Sequence, residues 1–324
     1  MSARTGWLIT VMLLTGGMLA ACRNAPAAAP PPTLTPTPMS TPLATLPPTL
    51  APGSSENPVR FLIVTDAAGR AANTAVTALT DVLQSETDLT VDVTLVSSDR
   101  DAVEALCAAF DGPPALALLS APGYSAASAR NCGLPLFHLS DGAGSTSREL
   151  IFIASDESGI SSLAELAGST FCRLSADDLT TWQVPALWML AQGLPPTSTL
   201  TTVTDVAGLD ALVEQVASGD CDAAALALDD YERSVTPELE ADITRLSSTL
   251  NVPLGVVVAA RELPLGIREA LAEALSAFGR TAAGADALEA LAGAAGVVSF
   301  TDGALADWDE LIARTGIDFA SFQG

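Results

Sequence analysis

The sequence predicts a two-lobed α/β protein, and three observations predict it. Short buried strands alternate with amphipathic helices from Val59 onward, a loose Gly- and Ser-bearing segment interrupts the alternation near residue 141, and 49% of the 324 residues are hydrophobic. Residues 58–324 are long enough for one large domain or two lobes of ordinary size.

The first lobe is read in order. Val59 to Thr65 is a buried strand, after which Val76, Leu79, Val82 and Leu83 give the next segment one apolar helical face. Leu89, Val91, Val93 and Leu95 alternate with polar residues, a strand signal, and Val103, Leu106 and Phe110 lie on the following helix. Ala115 to Leu119 is a short buried strand, and a helix follows Gly123. This βαβαβα order is that of a parallel sheet wrapped by helices. The segment Asp141-Gly142-Ala143-Gly144-Ser145-Thr146 is the crossing into a second lobe that opens with strand Leu150 to Ala154.

There, Ser162 with Glu165 forms a capping box for a short helix closed by Gly168, and Thr170 to Leu174 is a strand. A helix containing Trp182 to Gln192 ends at Gly193, a second one carries Leu209, Leu212, Val213 and Val216 as far as Gly219, and Ala223 to Leu228 is a buried strand. The chain then returns, with strand Val256 to Ala259 and the helical spacing Ile267, Leu271, Leu275 and Phe278. The expected bodies are residues 58–147 with 249–324 for a discontinuous first lobe, and 148–248 for the second.

Ahead of this body, an apolar stretch from Trp7 to Met18 follows a segment whose only cation is Arg4, and Leu19-Ala20-Ala21 leads into Cys22. The stretch is too short to span a ~30 Å hydrocarbon layer and suits a secretion signal, residues 1–21. Leu-Ala-Ala-Cys resembles the lipobox of bacterial lipoproteins, which implies a lipidated Cys22 with two or three acyl chains, each buried methylene contributing ~0.8 kcal/mol. An ordinary secretory signal is the alternative, and both readings place the mature protein outside the cytoplasm. Eleven of the 21 prolines fall between Pro26 and Pro58 among Thr, Ala and Ser, so residues 22–57 read as a tether rich in polyproline II, reaching up to ~3 Å per residue.

The chain carries 38 acidic residues against 14 basic ones, all arginine, for a net charge of -24. That balance excludes nucleic acid as a partner, because binding it needs clustered positive charge. Without lysine there is neither Schiff-base chemistry nor a Walker lysine. Four cysteines remain after Cys22, and an even number in an exported protein reads as two disulfides. Three pairings are open; Cys107 with Cys132 and Cys172 with Cys221 is preferred, since each closes a loop within one lobe. A metal site is the rival, but no Cys-x-x-Cys occurs and His138 is the only histidine, so no metal or other cofactor is expected.

Several stretches resemble the phosphate, phosphite and phosphonate-binding proteins of ABC importers, within the type II periplasmic binding fold. They are Asp156-Glu157-Ser158-Gly159-Ile160 with Leu163 to Gly168, Phe171-Cys172-Arg173, Trp182 with Pro185, Ser218-Gly219-Asp220-Cys221-Asp222-Ala223, and Tyr124 after the strand ending at Leu119. The resemblance covers most of residues 58–324 and implies two lobes closing on a small ligand, which is passed to an ABC permease. In that family the anion sits on a Ser-Thr-Ser-Gly turn at a helix N-terminus, where N–H groups and the helix dipole favour negative charge. The matching positions are Asp178, Leu179, Thr180 and Thr181, so a carboxylate stands where a serine would meet the anion. The family's phosphonate-contacting histidine falls at Leu209, and its aromatic near the start of the Val103 helix is replaced around Asp99-Arg100. Tyr124 and Asp229, the latter matching an acid that can hold a ligand amine, remain as contacts.

The ligand-binding candidates are therefore Tyr124, Asp178, Thr180, Thr181 and Asp229. Three of them have a plainer role: Asp178 as a helix N-cap worth ~1 kcal/mol, Tyr124 packed at a lobe edge, and Asp229 in a solvated pair with Asp230; Arg100 and Arg173 could clamp an anion bidentately, with structural ion pairs as the preferred reading. An enzyme is not expected. A Ser-His-Asp hydrolase would have to use His138, and Gly123-Tyr124-Ser125-Ala126-Ala127 lacks the last glycine of a nucleophile elbow. The reading is thus a monomeric, membrane-tethered solute-binding lipoprotein serving an ABC importer. A sensor or interaction module on the same fold is the alternative, and an extracytoplasmic hydrolase a weaker one.

Overall fold

The computed structural model describes residues 50–65 and 67–321, so the signal, Cys22 and the tether up to residue 49 lie outside the described residues. The chain runs β1 (Val59–Val64), α1 (Gly69–Thr87), β2 (Val91–Val96), α2 (Asp99–Ala108), β3 (Ala115–Leu119), α3 (Ala121–Ala129) and β4 (Gly133–Ser140). It then crosses to β5 (Ser147–Ser155), β6 (Thr170–Arg173), α4 (Val184–Ala191), α5 (Pro196–Thr199), β7 (Thr202–Asp205), α6 (Leu209–Ala217), β8 (Ala223–Ala227), α7 (Leu228–Ser234), α8 (Pro237–Glu240) and β9 (Ile243–Pro253). It returns through β10 (Val256–Ala260), α9 (Leu265–Gly279), α10 (Ala282–Ala292), β11 (Gly296–Ser299) and α11 (Ala306–Thr315).

Two mixed sheets result. The first has the order β11-β4-β10-β3-β1-β2 and the second β7-β6-β8-β5-β9. β1 pairs in parallel with both β2 and β3, as the βαβαβα pattern requires, while β10 enters antiparallel between β3 and β4. The first sheet is therefore built from two separate pieces of chain, the discontinuous architecture of the type II periplasmic binding fold. β5 starts at Ser147 and β9 pairs with it up to Pro253, so the crossings between sheets fall at 141–146 and at Leu254-Gly255.

α1 shows why these residues fold this way. Ala72, Ala75, Leu79 and Leu83 recur at helical spacing and are buried against Phe61 of β1 and Leu271, Leu275 and Phe278 of α9. Asp88 ends the helix in the left-handed conformation, its N–H donating to Gln84 O. Burying each leucine contributes about 1.5–3 kcal/mol, and Leu83→Ala would cost about 2–5 kcal/mol. The capping box forms as expected, with Glu165 Oε2 accepting from Ser162 N at 3.2 Å. Cys107 is joined to Cys132 and Cys172 to Cys221, the pairing preferred from the sequence.

Phe110 departs from the expectation that it sits on the α2 face. The helix stops at Ala108, ahead of the Asp111-Gly112-Pro113 turn, and Phe110 is 73% exposed. Residues 50–57, counted above with the tether, form a turn tied to the first sheet, in which Thr90 N donates to Gly53 O at 2.8 Å. The closing helix α11 packs Trp308 and Leu311 into the cluster of Phe152 and Trp188, on the second sheet. Trp308 also donates from Nε1 to Ser125 Oγ of α3 at 2.9 Å, so this helix touches both halves.

Candidate functional site

In sheets of this kind, ligands bind beyond the carboxyl ends of the parallel strands. A cavity of about 610 Å³ lies there, between the two sheets. The first half contributes Thr65 after β1, Ser97, Ser98 and Asp99 after β2, and Ser120 after β3; Glu289 comes from α10. The second half contributes Asp177, Leu179 and Gln183, from the turn that leads into α4. Its size suits a small solute, and its polar groups come from loops held at fixed strand ends.

Asp99 is the most constrained of these side chains. Ser98 caps α2 by accepting from Asp101 N at 3.3 Å, which sets Asp99 at the first helical position. From there Oδ1 accepts from Ser120 N at 3.0 Å and Oδ2 accepts a short bond from Ser120 Oγ–H, while Ser120 Oγ accepts from Gly123 N at 3.2 Å. The Asp99 carboxylate thus covers the N-terminus of α3. A Cβ at Gly123 would fall 2.0 Å from Asp99 Oδ1, so the close approach requires glycine there. Burial pushes the Asp99 carboxyl above the usual aspartate range, opposed by the two bonds from Ser120.

The turn before α4 is filled in the same manner. Asp178 Oδ1 accepts from Thr181 N at 2.6 Å, Thr180 N at 3.1 Å, Thr181 Oγ1 at 2.7 Å and Thr180 Oγ1 at 3.2 Å. Leu179–Gln183 form one π-helical turn that continues into α4, with Gln183 N donating to Asp178 O at 2.9 Å. Such turns are rare and recur at functional sites. Thr181 is fully buried, and its Oγ1 also accepts from Leu174 N at 3.0 Å. Asp178, Thr180 and Thr181 therefore satisfy one another, and the neighbours Asp177, Leu179 and Gln183 face the cavity.

The other expected contacts lie elsewhere. Tyr124 lines a separate hollow with Ser125, Ser128 and Asp309, its ring 5.8 Å from Phe300. Burial chiefly, and the Asp309 charge, push its hydroxyl up. Asp229 is exposed and pairs with Arg233 at 3.8 Å, while Asp230 takes the closer bond at 3.0 Å. Arg173 pairs with Asp205 at 2.7 Å and lies 4.5 Å from the Trp182 ring; Arg100 pairs with Glu104 at 3.3 Å. His138 is 2% exposed and stacks on Phe300 at 4.4 Å, away from the cavity, with its pKa lowered by burial. Asp99 and the serines around it were legible only as a departure from the family's aromatic position; a cluster of hydroxyls at three strand ends was the signal that could have found them.

Comparison with known proteins agrees with this geometry. The family model described as ABC transporter, phosphonate, periplasmic substrate-binding protein matches residues 61–305. A protein of Xanthomonas citri, solved bound to ATP, is similar at 16% identity with a TM-score of 0.64, covering 80% of this chain and 97% of that one. A binding-protein component of an ABC phosphonate transporter from Pseudomonas aeruginosa is similar at 17% identity, TM-score 0.57, over 83% and 91%. PhnD1 of Prochlorococcus marinus, solved with methylphosphonate, is similar at 13% identity, TM-score 0.53, over 78% and 96%. At these identities the structures speak for the fold alone. No curated protein matches the sequence significantly. With the match running from β1 to the segment before α11, the chain belongs to the periplasmic substrate-binding proteins of ABC phosphonate transporters, a family of binding proteins and not of enzymes.

Proposed function

We propose that the chain works as a monomeric lipoprotein, held outside the cytoplasm by acyl chains on Cys22, whose two lobes close on one small solute for delivery to an ABC permease. The observation that carries the binding role is the 610 Å³ cavity lined from both sheets in a member of this family. Besides the segment at 300–305 that carries α11 onto the second sheet, the chain crosses between the lobes at 141–146 and at Leu254-Gly255, a small set of connections that suits hinge closure over a bound ligand. The lipobox-like Leu19-Ala20-Ala21-Cys22 supports the anchor, and among the described residues no helix is long and apolar enough to cross a membrane. The contact set proposed from the structure is Thr65, Ser98, Asp99, Ser120, Asp177 and Gln183. Asp178, Thr180 and Thr181 act behind it by fixing the turn, and Tyr124 and Asp229 stand outside the cavity.

The test is a thermal-shift screen of the soluble body against phosphonates, phosphite, amines, amino acids and sugars. A saturable rise in Tm with one class, lost when Gln183 and Ser98 are changed to alanine, is the expected result. A ligand that binds with unchanged affinity to that double variant would move the site out of this cavity.

A further inference from the structure

We infer that the cleft takes a small primary ammonium solute, held between Asp99 of the first lobe and Asp177 of the second, with the hydroxyls of Thr65, Ser97 and Ser98 as further acceptors. This rests on the solute-binding reading above and specifies the ligand chemistry of the same cavity.

The first argument is charge. The described residues lining the cavity include three carboxylates, Asp99, Asp177 and Glu289, and none of them is Arg or His. An anionic solute would meet like charges in a partly desolvated space, where they are poorly screened. The second argument is that two helix N-termini beside the cavity, where an anion would ordinarily find N–H donors, already hold carboxylates of the chain itself. Asp99 takes Ser120 N at the start of α3, and Asp178 takes Thr180 N and Thr181 N at the start of the turn into α4. The fold keeps its anion-receptive helix ends but fills them from within.

The third argument narrows the cation. An ionised carboxylate offers about four lone-pair sites, and Asp99 spends one bond on each oxygen, leaving acceptor capacity. A primary ammonium brings three N–H donors and no acceptor, a match for carboxylates and hydroxyls. A quaternary ammonium has no N–H and is held on aromatic faces, and no described residue lining this cavity is aromatic. A guanidinium is held best by a carboxylate with both oxygens free for a bidentate pair, and at Asp99 each oxygen already accepts a bond from Ser120.

Isothermal titration at pH 7.5 with ethanolamine, putrescine, choline and methylphosphonate tests this. The expected result is saturable binding of a primary amine, weakened at least tenfold in Asp99→Asn and severalfold in Asp177→Asn, with no saturable heat from choline or methylphosphonate. Asp177 is exposed, so its variant keeps the test readable if Asp99→Asn fails to fold, which circular dichroism would show. Tight methylphosphonate binding by the wild type, absence of amine binding, or an amine affinity unchanged within twofold in the folded variants overturns the inference. A sugar or anion hit in the thermal-shift screen without an amine hit would leave the solute-binding reading standing, whereas no hit from any class would remove both.

Discussion

Replacing Asp178 by alanine should both loosen the turn before α4 and open it to anions. One oxygen, Oδ1, holds four donors within 3.2 Å, and two of them belong to Thr181, which is fully buried. Loss of an N-cap costs about 0.5–2 kcal/mol, and stranding buried donors adds to it, so a total near 2 kcal/mol is expected. For a body of this size that is about 4 °C in Tm, measurable by thermal unfolding followed by circular dichroism. The vacated N–H groups then resemble the anion-binding turn of the family. Methylphosphonate at ten times its Kd should return about 1.4 kcal/mol to Asp178→Ala and nothing to the wild type. A loss below 0.5 kcal/mol, or equal stabilisation of both proteins by the anion, would refute the view that this carboxylate occupies the turn.

Reducing the crosslinks should cost stability by an amount set by loop length: 25 residues separate Cys107 from Cys132 and 49 separate Cys172 from Cys221, for about 3.5 and 4 kcal/mol in the chain-entropy model. Non-reducing peptide mapping of exported protein checks the pairing, and any other pairing would break the assignment of one crosslink to each sheet. Cys22→Ser should shift full-length protein from the detergent phase to the aqueous phase, and equal partitioning would remove the lipid anchor. His138 has its pKa lowered by burial, so the unfolded chain binds the proton more readily and stability should fall as pH drops below the ordinary histidine value of ~6.5. Urea midpoints at pH 7.5 and 5.5 should differ less in His138→Gln; an unchanged difference would assign the acid sensitivity to other groups.

The elements read correctly from the sequence are those whose burial is periodic or complete. β3 and β8 are short apolar runs, β1 is one but for Arg60, and α1 and α9 carry clean helical stripes. β4 was illegible because Pro135 and His138 break its pattern. The structure shows why they are tolerated: the register against β10 shifts beside Pro135, and His138 is stacked on Phe300. β9 escaped for a different reason. It is the outer strand of its sheet, and Thr244, Arg245, Thr249 and Asn251 leave no alternation to read. At the site, sequence reasoning found the turn at Asp178 because the family likeness fixed its spacing. It also offered the role that the structure shows, Asp178 as the cap of its own helix end; the choice between cap and ligand contact depends on the rotamer and not on the order of residues.

The same distinction explains how one scaffold can change the charge of what it accepts. A helix N-terminus attracts negative charge whichever molecule supplies it, and a side chain bound to the backbone loses no translational freedom when it takes that place. Asp99 and Asp178 therefore compete with a free anion at an effective concentration no solute reaches. Their residual charge then acts outward. Asp99 bears a cost, since burial raises its pKa: the folded chain binds that proton more tightly than the unfolded one, so the ionised carboxyl opposes folding at neutral pH and is relieved as pH falls through the raised value. A cation beside it removes that cost on binding. The affinity for a primary amine should accordingly fall as the pH is lowered into the range where Asp99 takes up its proton, above the ordinary aspartate value. Amine affinity independent of pH from neutrality down to the usual aspartate range would mean that the solute is held without Asp99.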